Sequence, residues 1–130
     1  LSNGDVVLLF GEIGTGKTTF IKYFINYLQK KNKDRVIEIT SPTFNILNEY
    51  AVKDLKIMHY DLYRLKNHKD LENLGQIQNQ EDALIFVEWP ELIKNYVSDY
   101  TSLKFYYENN LTKRSLIINS KNKKIINEFK

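Results

Sequence analysis

The chain has 130 residues, 42% of them hydrophobic and 13% aromatic, which is typical of one globular domain with a sizeable core. The formal net charge of +3 is mild and only three of the 19 basic residues are arginines, so the composition indicates a solvated lysine-rich exterior more than a dedicated RNA-binding surface. The absence of cysteine excludes disulfides and cysteine-based metal sites, and without a signal peptide or an apolar run of about 18 residues we expect a cytoplasmic protein.

The most informative stretch is residues 11–18, which read G-E-I-G-T-G-K-T and match the Walker A pattern G-x-x-x-x-G-K-T. An apolar run over residues 5–10 precedes it and predicts a buried strand. Aromatic and aliphatic residues at helical spacing follow it and predict a helix over residues 17–31. A strand, a glycine-rich turn and a helix are the order in which a phosphate-binding loop is built. The sequence therefore predicts nucleotide binding.

Each residue type in this loop suits phosphate binding. Glycines let backbone N–H groups approach an anion at the positive end of a helix. The Lys17 ammonium is a point charge for the β- and γ-phosphates, and the Thr18 hydroxyl is a predicted Mg²⁺ ligand. The predicted nucleotide-binding residues of the loop and first helical turn are Glu12, Ile13, Gly14, Thr15, Gly16, Lys17, Thr18 and Thr19.

The rest of the chain alternates strands with helices. Further strands are predicted at residues 36–39, 45–50, 57–60 and 83–87, and an antiparallel hairpin at residues 101–108 and 115–119. Residues 65–82 indicate short helices and loops, Pro90 begins a short helix through about Tyr96, and the tail forms a short terminal helix. This order predicts an α/β domain spanning residues 1–130, with a mainly parallel sheet flanked by helices and an antiparallel hairpin at one edge.

Two acidic residues close predicted strands. Asp61 follows residues 57–60 and Glu88 follows residues 83–87, and ligands of open α/β sheets bind at the carboxyl ends of strands. A carboxylate there can hold Mg²⁺ through water or orient the water that attacks the γ-phosphorus, although strands also end in polar residues simply because they reach solvent. The spacing does not decide which of the two lies nearer the metal.

Three other residues are candidates for the site, and each also has a purely structural interpretation. The Thr43 hydroxyl, in Ser-Pro-Thr after a predicted strand, could reach the γ-phosphate and Mg²⁺ as a switch loop does, or the segment could be a turn. His59 lies on the same strand face as Asp61 and is more often a packed histidine than a base. Trp89, the only tryptophan, belongs either to the core or to the rim of the site, where it would sense nucleotide.

The order of these motifs resembles the TsaE family, also called YjeE, the bacterial ATPases of tRNA threonylcarbamoyladenosine (t6A) biosynthesis. After the phosphate loop come S-P-T-F at residues 41–44, H-Y-D-L-Y-R-L at residues 59–65 and E-W-P-E at residues 88–91. The last two segments are specific to this family, and the resemblance covers roughly residues 4–114. Family members carry a helix and a strand before the position of Gly4, so we expect this chain to lack them.

The resemblance implies the chemistry and the partners. Catalytic roles are implied for Lys17, Thr43, Asp61 and Glu88. Metal contacts are implied for Thr18, Asp61 and Glu88, and a nucleotide contact for Trp89. TsaE-like proteins hydrolyse ATP with Mg²⁺ when docked on the TsaB–TsaD pair, which they reset between rounds of transfer to adenosine 37 of tRNA. The transfer itself belongs to TsaD, so contact with tRNA is expected to be indirect.

Two other classes of function remain open. A small-molecule kinase shares the loop and the fold, but such kinases use many arginines and a lid, and three arginines are few for that purpose. A regulatory module that switches on a bound nucleotide would use the same Thr43 and Asp61, so only measurement separates it from an ATPase. The N-K-x-D segment of guanine-specific proteins is absent from the sequence.

Overall fold

The computed structural model describes residues 1–12, 15–33, 39, 46–63, 65, 82–94, 97, 99–108, 113–120 and 123–128. In these ranges the elements are, in chain order, β1 (Val6–Phe10), α1 (Lys17–Lys31), β2 (Leu47–Val52), β3 (Leu55–Asp61), β4 (Leu84–Glu88), a 3-10 turn (Pro90–Leu92), β5 (Thr101–Glu108), β6 (Lys113–Asn119) and α2 (Lys123–Glu128).

The described strands form one six-stranded sheet in the order β2-β3-β4-β1-β5-β6. The four inner strands, β3, β4, β1 and β5, are parallel to one another, whereas β2 and β6 pair antiparallel with β3 and β5 at the two edges. The predicted α/β fold with a parallel core and an antiparallel hairpin is confirmed. The structure adds a second hairpin, β2–β3, at the opposite edge.

The sheet buries apolar side chains on both faces, as expected for parallel strands covered on each side. On the face toward α1, the sheet residues Val7, Leu9 and Phe86 form a buried cluster with Ile21 and Ile25 of the helix. The opposite face buries Val6, Leu8, Ile85, Ile93 and Val97. Because consecutive residues of β1 point to opposite faces, its apolar run supplies both layers of the core, and its carboxyl end is held firmly where the phosphate loop begins.

Most predicted elements agree with the structure within a residue or two. The helix α1 has the predicted bounds, and the strands predicted at 57–60 and 83–87 are confirmed as β3 and β4. The helix predicted from Pro90 to Tyr96 was too long. Pro90 does begin it, but the helical residues are a 3-10 turn that ends at Leu92, and residues 93–94 form a turn.

Some predictions lie outside the described residues. They concern residues 36–38 of the predicted second strand, most of the segment 65–82, the loop positions Ile13 and Gly14, Tyr96 and the candidate switch residue Thr43. Within the part of the chain that is described, no helix has both the length and the apolar character needed to cross a bilayer.

Candidate phosphate-binding site

Three strand ends meet at one edge of the sheet. In the parallel register Asp61 of β3 is the Cα partner of Glu88 of β4, and Glu88 is the partner of Leu9 of β1. The two predicted acids are therefore neighbours at the carboxyl edge of the sheet, where ligands of open α/β sheets bind. Because β4 lies between β1 and β3, Glu88 is the acid beside the strand that leads into the phosphate loop.

The loop turns sharply between β1 and α1. Gly11 has φ 146° and a Cβ built on it would lie 2.6 Å from the Phe105 carbonyl oxygen, so a side chain at this position would be both strained and in collision. Thr15 donates a hydrogen bond from its hydroxyl to the Glu12 carbonyl at 2.7 Å. Gly16 then adopts the left-handed conformation (φ 105°) as the N-cap of α1. These glycines bring the N-terminus of α1 over the strand ends.

Lys17 lies at the centre of this arrangement and is only 5% exposed. Its ammonium donates a hydrogen bond to the Gly11 carbonyl and lies 3.4 Å from the centroid of the Trp89 ring, a cation–π contact. Burial lowers the pKa of the Lys17 ammonium, and the negative charges of Glu88, Glu91 and Asp61 oppose that shift. The site is thus a buried position where a cation faces several carboxylates.

Glu88 joins three elements through its carboxylate and is 2% exposed. Oε1 accepts a hydrogen bond from the Thr18 hydroxyl of α1 at 2.7 Å, and Oε2 lies 2.6 Å from Nε2 of His59 on β3. A hydroxyl oxygen keeps lone pairs when it donates, so Thr18 can donate to Glu88 and still offer its oxygen to a cation. Glu88 is therefore the carboxylate in contact with the predicted metal ligand Thr18.

Asp61 is also buried, at 4% exposed, and has a partner of its own. Its Oδ1 accepts a hydrogen bond from the Tyr63 N–H at 3.0 Å, which fixes the chain as it leaves β3. The Asp61 N–H bonds the Ile46 carbonyl at 2.8 Å, and the Leu62 N–H bonds the Glu88 carbonyl at 3.1 Å. Backbone bonds thus hold both acids beside each other.

The donor atoms at this site fit a magnesium ion that is bound together with a nucleotide. Among the described residues no group of three or more histidine, cysteine, aspartate or glutamate side chains is placed to hold a metal. Mg²⁺ in nucleotide sites keeps several waters and takes only one or two protein oxygens in addition to phosphate oxygens. The Thr18 hydroxyl and the Glu88 carboxylate, 2.7 Å apart, are oxygen donors of that type.

Trp89 lies at the rim of the site and not in the core. It has φ 57° and ψ 57°, a left-handed conformation that bulky residues rarely adopt, and it precedes Pro90, which disfavours the right-handed helical alternative. Its ring packs at 51° against that of Tyr63, with centroids 4.9 Å apart, and Tyr63 is 52% exposed. The backbone turn directly after Glu88 therefore aims the indole toward Lys17.

The structure brings Lys17, Thr18, Asp61, Glu88 and Trp89 close together, while their roles stay predictions. It also adds residues that the sequence analysis did not single out. Tyr63 stacks on Trp89, and Glu91 is close enough to influence the pKa of Lys17. Tyr63 belongs to the H-Y-D-L-Y-R-L segment and Glu91 to the E-W-P-E segment, so their positions in these motifs are the sequence features that could have identified them. The contact between His59 and Glu88 had no signal beyond the strand alternation that put His59 on the Asp61 face.

Comparison with known proteins decides among the phosphate-loop families. The family model described as "Threonylcarbamoyl adenosine biosynthesis protein TsaE" matches residues 1–116. This chain belongs to the TsaE family. The predicted family resemblance is therefore confirmed.

Individual TsaE proteins are similar over the same region. The chain is 41% identical over 98 residues to the tRNA threonylcarbamoyladenosine biosynthesis protein TsaE of Rickettsia conorii, which covers 75% of this chain and 54% of that protein. It is 37% identical over 91 residues to the TsaE of Aquifex aeolicus, covering 70% of this chain and 62% of that protein. The chain thus spans just over half of the length of the Rickettsia relative.

A solved structure has the same fold. The crystal structure of YdiB from Bacillus subtilis superposes with a TM-score of 0.68 and covers 99% of this chain and 78% of that one. At 23% sequence identity this similarity supports the fold alone.

Proposed function

We propose that this chain binds ATP with Mg²⁺ and hydrolyses it in support of tRNA t6A modification, acting on a complex of TsaB and TsaD. The observation that carries the proposal is the hydrogen bond of 2.7 Å between Thr18 and Glu88, beside the buried Lys17 and under the N-terminus of α1. A phosphate-loop hydroxyl bonded to a carboxylate at a strand end is the pairing that holds Mg²⁺ against nucleotide phosphates.

The described residues have distinct roles in this proposal. Lys17 and the backbone N–H groups at the start of α1 bind the phosphates, since both are positive at that point. Thr18 and Glu88 hold the Mg²⁺, which when bound supplies positive charge that stabilises the phosphate oxygens. Trp89 and Tyr63 cover the site from the rim and limit the access of bulk water.

For hydrolysis the proposal needs a group that orients the attacking water. The water oxygen bonds to the γ-phosphorus as the bond to the bridging oxygen breaks, which yields ADP and inorganic phosphate. We propose that Glu88 is the nearer metal partner, because it contacts Thr18, and that Asp61, one strand further from β1, orients this water. The role of Thr43 as the switch threonine stays a prediction from the family motif.

The partners follow from the family. Its members are described as proteins of threonylcarbamoyladenosine biosynthesis. We therefore propose that the transfer is carried out by TsaD, that tRNA is contacted only through the complex, and that the protein works in the cytoplasm. A small-molecule kinase is not favoured by any contact in the described site.

The first test is the steady-state rate of ATP hydrolysis, measured with the chain alone and with the TsaB–TsaD pair from the same source. We expect low turnover alone and a clear, Mg²⁺-dependent rise with the pair.

Lys17→Ala should abolish ATP binding in calorimetry, because the ammonium contact with the phosphates is lost. Lys22→Ala, which removes an exposed lysine from the same helix, is the matched control and should bind normally.

The same assay distinguishes the alternatives. Fast turnover without the pair would indicate another phosphate-loop enzyme, and nucleotide binding with no turnover even in the presence of the pair would indicate a regulatory switch. Unchanged ATP affinity in Lys17→Ala would contradict the phosphate-loop assignment itself.

A further inference from the structure

A buried histidine contacts the acid at the centre of the site. His59 is 0% exposed, and its Nε2 lies 2.6 Å from Oε2 of Glu88, the oxygen that does not contact Thr18. Its other ring nitrogen, Nδ1, is also buried and has no hydrogen-bond partner among the described residues. Within the described part of the chain, the imidazole has one polar contact, and that contact is with Glu88.

The sheet register explains why the two side chains meet. His59 of β3 is the Cα partner of Phe86 of β4, and Glu88 lies two residues further along β4 on the same face, the one that α1 covers. Diagonal neighbours of this kind are within reach of long side chains. Glu88 thus passes between β3 and the first turn of α1, with His59 on one side and Thr18 on the other.

The donor in this contact can be assigned from the hydrogen-bonding capacity of the two groups. An ionised carboxylate only accepts hydrogen bonds, so Nε2 must carry the proton that lies between them. Nδ1 has no acceptor among the described residues, so a tautomer with its proton there would gain no hydrogen bond from them and would lose the one to Glu88. The geometry therefore favours the tautomer with its proton on Nε2.

Packing alone does not account for a histidine at this position. An aliphatic side chain of similar volume would fill the space without burying an Nδ1 that has no partner among the described residues. The polar ring therefore adds a cost to the folded protein, and its contact with Glu88 offsets that cost. Glutamate has three rotatable side-chain bonds, and an uncontacted carboxylate oxygen would leave its orientation poorly fixed. Contacts at both oxygens fix it.

We propose that His59 is a positioning residue for the metal and hydrolysis site: it holds Oε2 of Glu88 so that Oε1 faces Thr18. This inference rests on the proposed function, since it assigns His59 a task in the same site. Groups that orient metal-binding carboxylates in this way typically matter by about 10- to 100-fold in metal affinity or activity when they are removed.

The test uses three substitutions that differ in what they present to Glu88. His59→Gln places an amide N–H₂ near the position of Nε2 and keeps the donor, whereas His59→Asn is one methylene shorter and does not reach. His59→Leu removes the donor and keeps the volume. Circular dichroism and thermal melting establish which variants are folded, and the Gln and Asn pair keeps the comparison valid if the Leu variant does not fold.

The expected results separate orientation from nucleotide affinity. His59→Asn and His59→Leu should lower kcat with the TsaB–TsaD pair by about tenfold or more, leave KM for ATP nearly unchanged, and raise the Mg²⁺ concentration needed for half-maximal nucleotide binding. His59→Gln should recover most of this loss. Folded Asn and Leu variants that match the wild type in kcat and in Mg²⁺ dependence would overturn the inference.

A second readout does not depend on turnover. The chain has only two histidines, His59 and His68, so a His68→Gln variant assigns the long-range ¹H–¹⁵N correlations of His59. We expect the proton on Nε2 and an unprotonated Nδ1, and the reverse tautomer would overturn the inference. If the wild type does not hydrolyse ATP with the pair, the proposed function fails, while the tautomer and the Mg²⁺ dependence of nucleotide binding still decide whether His59 positions Glu88.

Discussion

Two opposing effects act on the pKa of Lys17. Burial disfavours its charge, whereas Glu88, Glu91 and Asp61 favour it, and burial dominates, so its pKa is lowered from the ordinary value of 10.5. A lysine in this position supplies a poorly hydrated ammonium, which interacts strongly with phosphate because little water has to be removed first. The same feature makes the charge of Lys17 unfavourable to the folded state.

This gives a prediction for stability against pH. Below the lowered pKa, Lys17 is protonated in both the folded and the unfolded chain, and the cost of burying its charge is fully present. As pH rises through the lowered pKa toward 10.5, the folded chain loses the proton first and the cost falls. We therefore expect the free energy of unfolding of the wild type to rise relative to that of Lys17→Met over this alkaline window, as measured by urea unfolding.

The control is Lys22→Met, because Lys22 is exposed on the same helix. Its difference from the wild type should stay flat over the same pH range. A flat or falling difference for Lys17→Met would contradict the lowered pKa.

Trp89 provides an optical test of the same contact. The Lys17 ammonium lies 3.4 Å from the indole centroid, and phosphate binding would draw the ammonium toward the new anion. Because Trp89 is the only tryptophan, its emission reports on this site without interference from other indoles. We expect the fluorescence to change in a saturable way during titration with ATP and Mg²⁺, and no change at saturating nucleotide would contradict the proposed rim position.

Among individual residues, the sequence predicted those with a strong motif and missed those that depend on register. Lys17 and Thr18 follow from the Walker A pattern, because the chemistry of phosphate binding restricts those positions. The contact between His59 and Glu88 could not be predicted, since it requires knowing that β3 and β4 are neighbours and how they align. A shift of one residue in that register would have moved one of the two to the opposite face.

At the scale of elements, α1 connects the core to the phosphate site. Its buried stripe includes Ile21 and Ile25, both 0% exposed, and these anchor the helix whose first turn carries Lys17 and Thr18. We expect Ile25→Ala to lower the free energy of unfolding by about 2–5 kcal/mol, because it removes buried carbon atoms and leaves a cavity. Urea unfolding provides the measurement.

The matched control for this prediction is Tyr27→Ala, since Tyr27 is 62% exposed on the same helix. Its effect should stay within about 0.5 kcal/mol. Equal losses for the two variants would show that α1 does not pack through the stripe seen in the structure.

The elements themselves were predictable where their periodicity was strong. The helix α1 and the strands β1 and β4 follow from apolar spacing, and the β5–β6 pairing from two apolar runs joined by a polar turn. The β2–β3 hairpin was not predicted, because its two-residue turn, Lys53-Asp54, lacks the glycine that usually marks such turns. Lys53 takes the left-handed conformation there (φ 56°), which the sequence does not signal.

At the scale of the whole molecule, alternating strands and helices indicated a mainly parallel sheet but not the order of its strands. The strand order decides which acid lies beside Thr18. Because β4 lies between β1 and β3, its terminal residue Glu88 is the acid that contacts Thr18. The sheet also supports the loop from the other side, since β5 brings the Phe105 carbonyl against Gly11.

We expect Gly11→Ala to be destabilised and to bind nucleotide weakly, because the new Cβ would lie 2.6 Å from the Phe105 carbonyl oxygen at φ 146°. Holding an alanine backbone in such a disfavoured region costs on the order of 1–3 kcal/mol of folding free energy. Any shift of the loop that relieves the collision adds to this cost. Thermal melting and ATP titration of the variant provide the check. Wild-type stability together with wild-type affinity would contradict the close approach of β5.

The position of β1 in the sheet has a consequence for synthesis on the ribosome. Both strands that flank β1, namely β4 and β5, come from residues beyond 83, and no described element before β4 pairs with β1. The nascent chain therefore exposes an apolar strand and the apolar stripe of α1 while most of its sheet is still untranslated, and exposed apolar surface of this kind favours aggregation. The candidate phosphate-binding site, whose loop follows β1, can therefore be assembled only after β5 has been translated.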